Sequence, residues 1–225
     1  SLPQTSLKQM EACLAPDERN RATRFRFSKD RNKFIVCRFA LRNILASYSG
    51  TIPELVQFSY GPQGKPYLSD QSTLRFNVSH SGGMALVVAA CGREVGVDIE
   101  QHYTARDLQP IAERFFSPRE FEAIQMLPPL SREEAFFRVW TCKEAYLKAK
   151  GVGLSGSLDR FEVSVLPGQP AELLSVLDDP DEPGRWSMRN FCPSPNYSAA
   201  LAVEGHDWSL SSHLWKPSFQ VSMAN

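Results

Sequence analysis

Apolar positions between Ala15 and Ser47 fall at Phe27, Phe34, Ile35, Phe39, Leu41 and Leu45, with helical intervals of seven from Phe27 to Phe34 and of four from Ile35 to Phe39 and from Leu41 to Leu45. That spacing predicts helix through the stretch. Gly61-Pro62-Gln63-Gly64-Lys65-Pro66 interrupts it, because Gly supplies positive φ and Pro fixes φ while removing a donor; a turn with Lys65 at its tip is expected. Three β-like runs follow: Leu74 to Ser79, Met84 to Ala90 and Val95 to Glu100. Cys91-Gly92-Arg93-Glu94 is short enough to join the last two as a hairpin.

The second half opens with a helical pattern from Asp107 to Arg114. Ser117-Pro118-Arg119-Glu120 then reads as N-cap, first helical residue and N3 glutamate of another helix, ended by Pro128-Pro129. The longest helical pattern runs from Ser131 to about Lys150 and stops at Gly151-Val152-Gly153. Arg160 to Leu166, Trp186 to Arg189 and Tyr197 to Val203 read as strands between Pro- and Gly-rich turns. The order helix, strands, helices, strands predicts an α+β protein of two halves, residues 1–101 and 102–225, with no sequence repeat at a fixed period.

Composition narrows the chemistry. Of 225 residues, 25 are Lys or Arg and 25 are Asp or Glu, so no global field recruits nucleic acid or an anionic membrane. Phosphate recognition must then be local. One local source is the basic stripe Arg19, Arg21, Arg24, Arg31, Arg38 and Arg42, which is either a solvated face with intrahelical pairs or an anion-binding surface. The five cysteines are scattered, without C-x-x-C or zinc-ligand spacing, and read as reduced thiols of a cytoplasmic protein. Neither a signal-like apolar run nor a stretch of about 18 apolar residues occurs, so a soluble protein is expected. The start at Ser1 without Met reads as a processed or trimmed chain.

Candidate chemistry centres on carboxylates. In the strand VGVDIE, side chains two apart share a face, so Asp98 and Glu100 project together while Val97 and Ile99 point inward. Two adjacent acids repel unless a cation lies between them; hard oxygen ligands of this kind suit Mg²⁺ or Mn²⁺, and the alternative is a pair of solvated acids at a strand end. In the helix FFRVWTCKEAYLKAK, Trp140, Glu144 and Lys148 recur every four residues. Glu144 and Lys148 alone make an ordinary surface pair. Apolar Ala145, Tyr146 and Leu147 beside them imply a packed helix whose charges need partners. Asp98, Glu100 and Glu144 together would leave metal positions for water and phosphate, and Lys148 would neutralise that phosphate or protonate a leaving group. Phe76-Asn77-Val78-Ser79-His80-Ser81-Gly82-Gly83 ends a strand in small residues whose backbone N–H groups can face an anion, with His80 as an added donor or a structural residue. No G-x-S-x-G elbow supports a hydrolase built on Ser79 and His80. Trp140 and Phe115, Phe116, Phe136 and Phe137 read as core.

In this order the segments resemble the Sfp-type 4′-phosphopantetheinyl transferases. The likeness is carried by Gly64-Lys65-Pro66, Phe76 to Gly82, Gly96-Val97-Asp98-Ile99-Glu100, Arg114-Phe115-Phe116-Ser117-Pro118-Arg119-Glu120-Phe121 and the run from Trp140 to Leu154. It extends from about Ala15 to Phe161. The resemblance implies a pseudo-twofold monomer whose two similar halves each pack a small antiparallel sheet with helices, and a site in the cleft between them. It implies transfer of 4′-phosphopantetheine from coenzyme A to a serine hydroxyl of an acyl or peptidyl carrier protein, with release of adenosine 3′,5′-bisphosphate. By position, Asp98, Glu100 and Glu144 would hold Mg²⁺ and Lys148 would contact the phosphates, with Glu144 and Lys148 catalytic. Lys65, Ser79 and His80 would take the 3′-phosphate end, and Lys143 and Arg21 would be secondary coenzyme A contacts. Glu18 stands where some relatives carry a basic residue, and the family's opening strand is not evident before Leu7. Two other classes remain beside this one: a non-catalytic coenzyme A or carrier-protein binder, and a metal-dependent phosphohydrolase.

Overall fold

A computed structural model describes residues 4–69, 72–102, 108–153 and 157–217. The chain divides into two compact units, one formed by residues 1–57 with 209–225, the other by residues 58–208.

The first unit is helical: α1 (Gln4–Ala12), α2 (Pro16–Thr23) and α3 (Ser28–Ser49), then a single turn of 3₁₀ helix, Pro53–Leu55. Met10, Leu14, Ala22, Ile35 and Phe39 form its core, and Trp215 of the returning C-terminal segment packs edge-on against Phe39 at 6.0 Å between ring centres. The helix expected from Ala15 to Ser47 is two helices. The Arg24 N–H closes α2 on the carbonyls of Arg21 and Ala22, and extended Phe27 opens α3. The first described element, Gln4–Ala12, is a helix and not a strand.

Half of the basic stripe is paired with acids inside this unit. Glu18, 2 % exposed, accepts from Arg38 Nε and Arg42 Nε, each at 2.7 Å, and caps α2 by accepting the Ala15 N–H at 2.9 Å. Arg31 pairs with Glu11. Arg19, Arg21 and Arg24 stay exposed. The side chain that looked misplaced in a basic helix is therefore the anchor of that helix, since buried charge persists only when paired.

The second unit contains nine strands and three helices among the described residues: β1 (Phe58–Tyr60), β2 (Pro66–Leu68), β3 (Leu74–Ser81), β4 (Met84–Cys91), β5 (Val95–Gln101), α4 (Gln109–Phe115), α5 (Pro118–Met126), α6 (Pro129–Lys150), β6 (Phe161–Val163), β7 (Leu173–Val176), β8 (Trp186–Phe191) and β9 (Tyr197–Glu204). All pairing is antiparallel: β1 with β2, β3 with β4, β6 with β7, and a three-stranded sheet in the order β5-β9-β8. The fold class is α+β.

The hairpin expected between β4 and β5 is not formed. Gly82, at φ +56°, turns β3 back on β4 instead, and β5 pairs with β9. β1, β2 and β7 had no sequence prediction, and the run Arg160 to Leu166 is strand only over β6. Residue 107, where the helix was expected to begin, lies outside the described residues. Ser117 and Glu120 form the reciprocal cap read from sequence, the Glu120 N–H donating to Ser117 Oγ at 3.2 Å and the Ser117 N–H to Glu120 Oε2 at 2.8 Å.

α6 is the pillar of this unit. It buries Phe136, Phe137, Val139, Cys142, Tyr146 and Leu147 around its circumference, and Trp140 stacks on Phe136 at 5.9 Å, so the aromatics are core as expected. Each such side chain contributes roughly 1.5–3 kcal/mol on burial. Glycine decides how closely α6 meets the sheet. A Cβ at Gly96 would lie 2.1 Å from Ala145 O and 2.4 Å from the Ala149 nitrogen, so only Gly lets the α6 backbone rest on β5.

Candidate active site

Gly96, Asp98 and Glu100 share one face of β5, the face on which α6 lies. Glu144 and Lys148 neighbour Ala145 and Ala149, the α6 residues in closest approach to Gly96. Close packing at the glycine thus delivers an acid and an amine to two strand carboxylates.

Lys148 Nζ donates to Asp98 Oδ1 at 2.5 Å and to Ser79 Oγ at 2.9 Å. The Ser79 hydroxyl in turn donates to Asp98 Oδ1 at 2.9 Å and accepts from the Ile99 N–H at 3.4 Å. The pattern repeats two residues on, where Ser81 Oγ donates to Glu100 Oε2 at 2.8 Å and accepts from the Gln101 N–H at 3.0 Å. Asn77 Oδ1 receives the Val97 N–H at 3.0 Å. Side chains at 77, 79 and 81 therefore stand in for a strand along β5, and two of them fix the rotamers of its acids.

Lys148 does not neutralise three acids. Asp98 Oδ2 and Glu144 Oε1 are buried without a hydrogen-bond partner. Burial raises the pKa of Asp98 against the pull of Lys148, and burial raises that of Glu100. Glu144 is pushed up to about 7, first by burial and then by the charge of Asp98. Orphaned buried carboxylate oxygens are costly, and a hard divalent cation is the partner their chemistry suits. Among the described residues no three His, Cys, Asp or Glu side chains are already gathered as a ligand set.

The remaining predicted site residues are placed unequally. His80 is exposed at the end of β3, opposite Ala85. Lys65 is not a free loop tip. Its ammonium donates to Glu94 Oε2 at 2.8 Å and to Ala149 O at 2.6 Å, at the negative end of α6. Ser79 is buried and engaged with Asp98. Lys143 is 0 % exposed, ion-paired with Glu120 at 2.7 Å and donating to the carbonyls of Leu158 and Phe161, so no ligand reaches it. Arg21 lies in the helical unit with its guanidinium 5.3 Å from the Phe34 ring centre. His102 stacks on Phe137 at 4.4 Å between ring centres.

Sequence reasoning missed Ser81 and Glu94. For Ser81 the signal was present: Ser79-x-Ser81 has the same two-residue period as Asp98-x-Glu100. Glu94, which also holds Arg75 at 2.9 Å, gave none.

Comparison with known proteins places this geometry in a lineage. A family model described as 4′-phosphopantetheinyl transferase superfamily matches residues 94–202, and one described as 4′-phosphopantetheinyl transferase, N-terminal, matches residues 3–92. The chain is similar to the 4′-phosphopantetheinyl transferase HetI of Nostoc sp., at 41 % identity over 209 residues, covering 92 % of this chain and 85 % of that one. It is also similar to the 4′-phosphopantetheinyl transferase Sfp of Bacillus subtilis, at 26 % identity over 207 residues, covering 92 % and 89 %. Among solved structures, the holo-[acyl-carrier-protein] synthase of Thermotoga maritima overlaps with a TM-score of 0.39 at 24 % identity, covering 50 % of this chain and 62 % of that one. A likeness to HetI that spans nearly the whole chain, and two family models that divide the chain between them, establish that this protein belongs to the 4′-phosphopantetheinyl transferase family.

Proposed function

We propose that this enzyme transfers 4′-phosphopantetheine from coenzyme A to a serine hydroxyl of an acyl or peptidyl carrier protein, with Mg²⁺ or Mn²⁺ held by Asp98, Glu100 and Glu144. The observation that carries the reading is the pair of buried, unpartnered oxygens, Asp98 Oδ2 and Glu144 Oε1. A bound divalent cation supplies charge neutralisation at the coenzyme A pyrophosphate. Lys148 adds a second positive charge from α6, and Ser79 and Ser81 keep Asp98 and Glu100 aimed. The serine oxygen forms its bond to the phosphorus that bears phosphopantetheine as the bond to adenosine 3′,5′-bisphosphate breaks, and Glu144 receives the serine proton. No nucleophile is needed from this chain, whose work is alignment and charge stabilisation. His80 offers the solvent-open donor for the 3′-phosphate end, with Lys65 as added charge and Ser79 as support behind Asp98.

Residues 1–101 and 102–225 are then the two halves of the enzyme, and the site forms where β5 of one meets α6 of the other. Support comes from the element order, three helices followed by four strands in each half, with β5 between. We further propose a monomer that works in the cytoplasm; the five free thiols suit a reducing compartment. No helix among the described residues is long and apolar enough to cross a membrane.

The test is incubation with coenzyme A, Mg²⁺ and a panel of apo carrier proteins, read by intact mass. The expected result is a gain of one phosphopantetheine with the parent enzyme and none with Glu144→Ala at unchanged fold. Full transfer by that variant would sink the three-carboxylate assignment, and consumption of coenzyme A without a carrier protein would make the enzyme a hydrolase.

A further inference from the structure

The repeated element order hides a repeated contact. In the first copy, Glu18 is the third residue of α2 and pairs with Arg42 Nε at 2.7 Å. Arg42 lies eight residues before left-handed Gly50 (42 to 50) and also donates to Pro53 O at 2.8 Å and Val56 O at 2.9 Å. Those carbonyls belong to the first residue of a 3₁₀ turn and to the residue just after it. In the second copy, Glu120 is the third residue of α5 and pairs with Lys143 Nζ at 2.7 Å. Lys143 lies eight residues before left-handed Gly151 (143 to 151) and donates to Leu158 O at 2.7 Å and to Phe161 O. Those carbonyls too are the first residue of a 3₁₀ turn and the residue after it. Both glutamates are 2 % exposed, and both cations are 1 % exposed or less.

An Arg and a Lys in different surroundings thus keep equivalent partners. The contact is a corner that ties the start of one helix, the middle of the next and the following turn together. What differs is the residue after the cation. Asn43 follows Arg42 and turns its amide back on its own helix, donating to Phe39 O at 2.8 Å. Glu144 follows Lys143 and keeps a buried carboxylate oxygen unpartnered. Four residues further, Ser47 also bonds its own helix, to Ile44 O at 2.7 Å, whereas Lys148 reaches Asp98. The first copy holds the corner without the chemistry.

We propose that the Glu120–Lys143 pair is a positioning device for the reaction: it sets the rotation of α6 about its axis and so aims Glu144 and Lys148 at Asp98. Lys143 is then a positioning residue and not a coenzyme A contact. The inference rests on the assignment of Glu144 to the reaction. Its leverage follows from helix geometry, because a side chain ends roughly 5–6 Å from the axis and a 20° rotation moves it by about 2 Å. A displacement of about 1 Å is enough to cost on the order of a hundredfold in rate.

The first copy supplies the control for a merely structural role. Glu120→Gln with Lys143→Met removes both charges of the second corner, leaving neither buried alone. Glu18→Gln with Arg42→Met removes the matching pair of the first; Arg38, which also pairs with Glu18 but is 13 % exposed, keeps water and the glutamine carbonyl as partners. Melting temperature, kcat for carrier-protein modification and the coenzyme A dissociation constant by calorimetry are measured for both, beside Lys143→Arg and Glu144→Ala. Comparable melting losses are expected in the two double variants. Only the second-corner variant should lower kcat, by about 30-fold, with coenzyme A affinity held within about twofold. Lys143→Arg, the cation of the first corner, should keep kcat within about threefold. Equal loss of kcat in both double variants overturns the proposal, as does a roughly tenfold weaker coenzyme A affinity in the second-corner variant. If that variant does not fold, Lys143→Arg decides alone: retained kcat supports the device, and a tenfold loss at unchanged melting temperature overturns it. Full activity in Glu144→Ala would overturn the assignment of Glu144 itself; an inactive Glu144→Ala beside a fully active second-corner variant would overturn only the positioning role.

Discussion

Glu144 is costly to keep charged. Its carboxyl is pushed up from the ordinary 4.5 to about 7 in the folded protein, because burial and then Asp98 disfavour the anion. An acid with a raised folded pKa binds its proton more tightly in the native state, so its contribution to stability is complete below about pH 4.5 and is lost as pH rises through about 7. Glu144→Gln, fixed in the neutral form, escapes that loss. In metal-free buffer at pH 8 the variant should be more stable than the parent by about 2 kcal/mol after discounting for partial exposure, and the gap should close near pH 4. Urea unfolding at the two pH values measures it. The same residue shows what sequence conveys at this scale. The shared face of Asp98 and Glu100, and that of Glu144 and Lys148, were legible because side chains two apart on a strand and four apart on a helix lie on one side. The burial of Lys143 was not legible, because nothing in K-E-A-Y-L-K tells a buried ammonium from an exposed one; the distinction is made by Glu120 and two carbonyls further along the chain.

At the scale of elements, the site depends on how far α6 stands from β5. Gly96→Ala would set a methyl group 2.1 Å from Ala145 O, a backbone atom that cannot rotate away. The helix must shift, and a loss of about 2–3 kcal/mol in stability is expected, with at least a tenfold lower kcat. Denaturant unfolding and initial-rate kinetics check the two effects together; a variant as stable and fast as the parent would mean that the close approach is dispensable. Helices with strong terminal signals were readable: α5 from its Ser117–Glu120 start cap, α6 from its stop at Gly151. Strand pairing was not. The link from β4 to β5 has hairpin length, yet β4 belongs to β3, and β5 finds β9 about a hundred residues later. Short loops argue for local pairing only when no better partner exists, and β9, rich in alanine, offers the flat face that α6 requires.

For the whole molecule, the second strip of chain joining the helical unit is its C-terminal segment, anchored through Trp215 against Phe39. Trp215→Ala should cost about 1–2 kcal/mol and speed amide exchange in α1 and α3 ahead of the β5-β9-β8 sheet. Uniform acceleration across both units would show that they open as one. Nothing in the sequence announces this anchor, since the aromatics of the C-terminal segment follow no period. The internal repeat was equally hidden: its two corners use Arg in one copy and Lys in the other, and the interval from glycine to 3₁₀ turn is longer in the second.

The line of Asn77, Ser79 and Ser81 along β5 has a further consequence. A strand at the rim of a sheet normally presents unpaired N–H groups on which a foreign strand can template, and V-G-V-D-I is apolar enough to invite it. Here the N–H groups of Val97, Ile99 and Gln101 are already taken by side-chain oxygens of the same chain. The residues that orient the carboxylates also close the rim, so the enzyme's acid-bearing strand is protected against aggregation by the same groups that prepare it for chemistry.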